Sequence, residues 1–175
     1  MEAGTEPPEV VTMTSHTTEP DPNGPLAITP LVSLRDGSVL YCARWAGAAG
    51  DRGTGPAYRR YRGYLADDAL RPPGCVVLVW IDFDRAGAAS EFFDAVVAGN
   101  REAAPITGMI AAQLHISTDG RRGLTYGEWS DESAHQAALG RGGPLGPDGA
   151  VTRHIRAVTG VRSFTFQRYR PYRAS

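Results

Sequence analysis

Residues 74–175 predict an α+β domain of the ferredoxin-like kind, with elements in the order β-α-β-β-α-β and a single antiparallel sheet. Three observations predict it. Residues 75–83 form a β-branched apolar run, the pattern of a central strand buried on both faces. Residues 86–103 place Phe92, Phe93, Val96 and Val97 at helical spacing. Residues 109–117 and 122–129 flank Asp119-Gly120, a hairpin dipeptide, and a helix and a last strand follow.

Each element has its own local reason. The first strand is preceded by Pro72-Pro73-Gly74, which ends the connector from residue 65. Pro105 and Gly108 close the first helix. Ser130-Asp131-Glu132-Ser133 offers N-cap and acidic first-turn residues, so a short helix is expected over 131–139. The Gly/Pro-rich segment 140–149 reads as a loop, residues 151–158 as one or two helical turns, and residues 161–170 as the final strand. Such a sheet carries both helices on one face. The other face needs cover, which a second sheet would supply, so the expected assembly is a homodimer closed face to face into a dimeric α/β barrel.

Ahead of this domain, residues 26–73 read as a β-rich extension. Strands at 27–34 and 38–45 flank Asp36-Gly37. A third strand at 57–64 carries Tyr58, Tyr61 and Tyr64, whose period of three conflicts with the strand period of two. The extension echoes the later domain. Leu34-Arg35-Asp36-Gly37 and a strand ending at Trp45 parallel Thr118-Asp119-Gly120 and a strand ending at Trp129, and the 58–64 run parallels 166–172. It reads either as a degenerate half-copy lacking both helices and the first strand, or as chance similarity in an arginine-rich chain. Residues 1–25, rich in Glu, Thr and Pro, are expected to form a disordered tail.

The bulk composition narrows the function classes. The chain of 175 residues is 42% hydrophobic and 21% charged, ordinary for a globular protein. Its 18 basic residues are all arginine and are balanced by 19 acidic ones, which gives no ground for nucleic-acid binding. No run approaches the ~20 apolar residues of a membrane helix, and the start lacks a signal-peptide pattern. The expected location is the cytoplasm, with Cys42 and Cys75 as free thiols. No phosphate loop, nucleophile elbow or zincin motif occurs, and the histidines at 16, 115, 135 and 154 make no ligand cluster, so neither a metal nor an organic cofactor is expected.

Candidate chemistry concentrates between Leu114 and His135. His115 stands on a strand, with Gln113 and Met109 on its side by the period of two. Thr125 and Trp129 follow on the paired strand, and His135 falls on the short helix. These four, His115, Trp129, Thr125 and His135, are the catalytic candidates. Trp80, Tyr126, Gln113, Phe93 and Asn100 are the substrate-binding candidates.

The run His115-x-Ser117-Thr118-Asp119-Gly120, followed by Tyr126-x-x-Trp129, resembles the antibiotic biosynthesis monooxygenases. The resemblance is to the quinone-forming members that oxidise anthrone-type aromatic polyketides in actinomycetes, and it spans roughly residues 75–170. It implies a cofactor-independent, homodimeric enzyme that takes molecular oxygen as co-substrate and binds its substrate between sheet and helices. His115 and Trp129 match the family's pocket histidine and tryptophan. His135 falls where a tyrosine can stand and is expected to serve as a hydrogen-bond donor or acid/base group. Thr125 departs from the family: quinone-forming members carry asparagine there, and threonine keeps one hydroxyl but loses the amide's reach. The reaction the resemblance implies is oxidation of a polycyclic aromatic polyketide to a quinone. The Thr125 departure leaves two alternatives open: a polyketide cyclase closing a ring by aldol chemistry through His115 or His135, and a non-catalytic partner that binds an intermediate.

Overall fold

The computed structural model describes residues 9–14, 26–46, 56–66 and 71–172. In chain order its elements are β1 (Glu9–Thr14), β2 (Ala27–Ser33), β3 (Val39–Ala46), β4 (Ala57–Leu65), β5 (Cys75–Phe83), α1 (Ala88–Glu102), β6 (Met109–Ser117), β7 (Arg122–Trp129), α2 (Glu132–Leu139), α3 (Ala150–Arg156) and β8 (Val161–Pro171). All strand pairs are antiparallel, in the order β1-β3-β2-β8-β5-β7-β6-β4, and β1 pairs with β4 to close a barrel.

The C-terminal half has the expected β-α-β-β-α-β plan, with α3 added before the last strand. Its sheet order is β8-β5-β7-β6. The N-terminal half runs β4-β1-β3-β2, the same order counted within its own strands. Among the described residues it repeats the strand order of the C-terminal sheet and has no helix. The expectation that this copy lacks its first strand is corrected: that strand is β1, inside the stretch read as a disordered tail. Val10-Val11-Thr12-Met13-Thr14 has strand chemistry, but the Glu/Thr/Pro-rich sequence around it masks so short a run. Its partners, β3 and β4, are distant in sequence. Residues 1–8 and 15–25 of the expected tail lie outside the described residues.

The open sheet face that motivated a two-chain barrel is covered within the chain, through the β4–β6 and β2–β8 seams. Between the two sheets lies an apolar cluster of Val11, Leu31, Cys42, Tyr58, Val76, Leu78, Leu124 and Tyr169. The tyrosine period of three has a cause: a β-bulge between Arg60 and Arg62 leaves Tyr61 as an extra residue. Tyr58 is buried in the barrel, while the Tyr61 hydroxyl donates to Asp94 of α1 at 3.0 Å, and Arg62 Nε donates to the same carboxylate at 2.9 Å.

The helices cover the outer face of the C-terminal sheet. α2 starts where its cap dictates, with the Asp131 carboxylate accepting from the Ala134 N–H at 2.9 Å. α1 and α3 touch at Gly99, where a Cβ would lie 2.6 Å from the Val151 Cα, so only glycine allows this approach. At both hairpins predicted from Asp-Gly, the glycine takes positive φ: 74° at Gly37 and 70° at Gly120. Among the described residues no helix is long and apolar enough to cross a membrane.

Candidate active site

Strand register decides which side of the C-terminal sheet each candidate faces. β7 alternates: Leu124 and Tyr126 pack in the barrel cluster, while Gly123, Thr125, Gly127 and Trp129 face the helices. His115 lies directly across from Leu124, Gln113 across from Tyr126, and Trp80 of β5 across from Leu124. These three therefore share the barrel side with Tyr126. His115 and Trp129 point to opposite faces of the sheet, which corrects the expectation that both rings enter one pocket. The parity was present in the turn. A hairpin centred between Asp119 and Gly120 pairs 115 with 124, and 129 lies an odd number of positions beyond 124, so it faces the other side. Met109 is also corrected. A register shift between Met109 and Ala111 sends it to the helix side, away from His115 and Gln113.

Inside the barrel His115 is fully buried, and neither ring nitrogen has a hydrogen-bond partner. The backbones of Leu124 and Gln113 come near without hydrogen-bond geometry. Burial holds its pKa down to about 4, so the ring is neutral at physiological pH.

On the helix side a cavity of about 350 Å³ lies between the sheet and α1, α2 and α3. Val77, Val79, Thr125, Gly127 and Trp129 form its floor, and Val96, Val97, Asn100, His135 and Ile155 contribute to its roof. Thus four of the nine candidates meet here: Trp129, Thr125, His135 and Asn100. Phe93 is fully buried beside it, in the cluster with Ile81, Phe92 and Leu114. Its ring occupies the space that a Cβ at Gly123 would take, with the nearest ring atom 2.8 Å from that position. The half-exposed Phe164 and Phe166 of β8 complete the cavity wall; the sequence showed their alternation but no functional mark. A wider depression of about 480 Å³ over residues 103–107 and 142–150 has only exposed charged groups, Asp148 and Arg153, on its rim.

The polar groups of the cavity are few. His135 is buried, with its imidazole edge-on to Trp129 (centroids 4.9 Å, 71°) and to Phe166 (5.5 Å, 70°). Arg168 Nε donates to His135 Nδ1 at 2.9 Å. A guanidinium cannot accept, so Nδ1 is the acceptor and the neutral ring carries its proton on Nε2. Burial, reinforced by the Arg168 charge, brings this pKa down to about 4. Neither Nε2 of His135 nor Nε1 of Trp129 has a protein partner among the described residues. Gly127 leaves the indole N–H room, since a Cβ there would lie 3.2 Å from it. Asn100 adds a buried carbonyl oxygen with no partner. The arrangement is a mostly apolar slot lined by two neighbouring rings that each carry an N–H without a protein partner among the described residues, with a side-chain amide on the roof. No group of three or more His, Cys, Asp or Glu side chains is placed to hold a metal among the described residues. Arg168 and Thr152 are the cavity's polar neighbours that sequence reasoning missed. Both gain their place only from packing, Arg168 against α2 and Thr152 through a 3.1 Å bond to the Leu145 carbonyl.

No protein-family model matches the sequence, and no curated protein matches it significantly. Solved structures do match. An anthrone oxidase-like protein superposes with a TM-score of 0.69 at 14% identity, over 99% of this chain and 94% of that one. A ferredoxin-fold protein from Listeria monocytogenes, related to antibiotic biosynthesis monooxygenases, gives 0.65 at 16% identity over 96% of both chains. A heme-degrading enzyme from the same organism gives 0.54 at 13% identity, over 92% of this chain and 99% of that one. Likeness at such identities speaks to architecture and leaves the reaction to the site itself. The chain has the ferredoxin-like α+β fold of these structures.

Proposed function

We propose that the chain is a cofactor-independent monooxygenase that oxidises a polycyclic aromatic polyketide of the anthrone or phenol type to a quinone. One observation carries the reading: an apolar cavity lined by His135 and Trp129, whose N–H groups both lack a protein partner among the described residues. Its volume of about 350 Å³ suits a small-molecule ligand of a few fused rings. Two donors without an opposing acceptor stabilise an oxygen that carries negative charge, and the low polarity around them strengthens that interaction. An anthrone that has given its C–H proton to solvent before it is enclosed is held there as its enolate, which can pass an electron to dioxygen. Overall the ring CH₂ becomes a carbonyl with one oxygen atom of O₂, and the other leaves as water with the two hydrogens. The protein's part is to hold the ring, stabilise the oxyanion and keep water out.

His135 is assigned as a donor and not as a base, because its Nδ1 is occupied by Arg168. Thr125 adds one hydroxyl to the same cavity. Ring closure through a histidine base is less well served. His115 is on the other side of the sheet, and His135 presents a proton where a base needs a lone pair. The test is incubation of the purified protein with a panel of anthrones under ¹⁸O₂ without NADPH. The expected result is labelled quinone above the autoxidation rate. No enhancement with any anthrone overturns the reading, and product formed equally without oxygen would favour ring closure.

A further inference from the structure

We infer that Arg168 is a positioning residue of this cavity: its Nε–H, set against Nδ1 of His135, fixes the imidazole as a one-way hydrogen-bond donor, so the site takes an acceptor oxygen such as a phenolate, enolate or carbonyl. The substrate side of this inference rests on the oxidative reading above; the state of His135 does not.

The geometry is a complete clamp. Glu132, His135 and Gln136 stand three and four residues apart on α2, which puts them on one helical face. Arg168 of β8 meets all three. Nε donates to His135 Nδ1 at 2.9 Å, one terminal nitrogen donates to Glu132 Oε1 at 3.4 Å, and the other donates to Gln136 Oε1 at 2.5 Å. The guanidinium also lies over the Phe166 ring, 5.3 Å from its centroid. An arginine held at four points has little freedom to turn away, and it has no lone pair to offer. The alternative tautomer, with the proton on Nδ1, would set two donors against each other at 2.9 Å. The clamp therefore decides which nitrogen faces the cavity with a proton.

The charged and titratable groups around the ring agree with this. Arg168 comes from β8; Glu132, on the ring's own helix, is spent on Arg168. From β5, the Cys75 thiol is pushed up to about 11 by burial and then by the Glu132 charge, so it remains neutral. Among the described residues no acceptor bonds to Nε2–H, and the Arg168 charge stands at Nδ1, on the far side of the imidazole. A phenol bound with its oxygen at His135 and Trp129 is then drawn toward its ionised form by the two N–H groups and the Arg168 charge, against the opposing effect of burial.

The test uses the full chain labelled with ¹⁵N, as wild type, Arg168→Met and Arg168→Lys. Long-range ¹H–¹⁵N spectra report the tautomer, with the His135 signals assigned through His135→Gln. The probe is 2-hydroxyanthraquinone, whose phenolate is read by visible absorption. In the wild type His135 should carry its proton on Nε2 at neutral pH, and the bound probe should ionise below its free value. Arg168→Met should mix the tautomers and move the probe's ionisation back by about one pH unit, a tenfold change in the phenolate-to-phenol ratio. Arg168→Lys, which still offers a donor, should restore most of the wild-type behaviour even if Arg168→Met folds poorly. A proton on Nδ1 in the wild type, or an unchanged tautomer and ionisation in a folded Arg168→Met, overturns the inference. If the probe does not bind the wild type, the oxidative reading falls, and the tautomer comparison alone decides the role of Arg168.

Discussion

Trp129 and His115 stand on neighbouring strands yet face opposite sides of one sheet. The cavity side has the indole and the His135 imidazole; the barrel side has a buried imidazole with no partner. This separation makes the roles testable residue by residue. Trp129→Phe keeps the wall and removes the N–H, and His135→Leu removes the other donor. Loss of an oxyanion donor typically costs about 10²–10³ in rate, so each variant should lower kcat/KM for quinone formation by a factor in or just below that range. His115→Phe should leave kcat/KM within about twofold, because its ring never reaches the substrate. Steady-state rates on one anthrone substrate compare all three, and a large loss from His115→Phe alone would contradict the assignment. The sequence marks His115 by the motif around it, and the strand register, which that motif does not display, puts its ring on the barrel side. His135 was legible as a helix residue near the site, but its fixed tautomer was not, because Arg168 lies 33 residues away.

At the scale of elements, the helical roof determines the cavity's shape. α1 and α3 come together only because residue 99 lacks a Cβ, with the Val151 backbone in its place. Gly99→Ala must push the helices apart or distort one of them, at a cost of about 1–3 kcal/mol. Thermal unfolding should show a lowered Tm, and ligand affinity should fall with it, since Asn100 and Val151 line the same cavity. An unchanged Tm would mean that the contact is looser than described. The sequence marked residue 99 as one glycine in a helix and offered no hint of its partner, because nothing local distinguishes a packing glycine from a tolerated one. The β4 bulge is a similar case. Its signal was visible as a tyrosine spacing that fits neither period, and its meaning, Tyr58 inward and Tyr61 bonded to Asp94, required the neighbouring strand and helix.

For the whole molecule, the barrel closes through two seams joining the halves, β2–β8 and β4–β6. Deleting residues 1–14 removes β1, the strand that joins β3 to β4, and exposes two long edges. The expected outcome is aggregation or loss of cooperative unfolding, read by light scattering and circular dichroism, and a well-folded monomer would count against the closed barrel. Acid is the second global lever. His115 and His135 both have folded pKa values of about 4 against an ordinary 6.5. Between those values the unfolded chain binds more protons than the folded one. Their stabilisation is complete above about pH 6.5 and falls as pH drops toward 4, by about 1.4 kcal/mol per unit for each group. Denaturant titrations from pH 7 to 4.5 should show this slope, and His115→Phe should remove roughly half of it.

Local chemistry by itself determined most of the elements: alternating strands, a helix with an apolar stripe, Asp-Gly turns whose glycines take positive φ, and a helix capped by Asp131. These features depend on neighbours a few residues apart, which a linear sequence displays directly. Only the tertiary structure decided that one chain closes its own barrel, that β1 exists, and which face of the sheet each aromatic and histidine occupies. Those outcomes depend on register, where a shift of one residue reverses every side chain, and on partners brought together by folding.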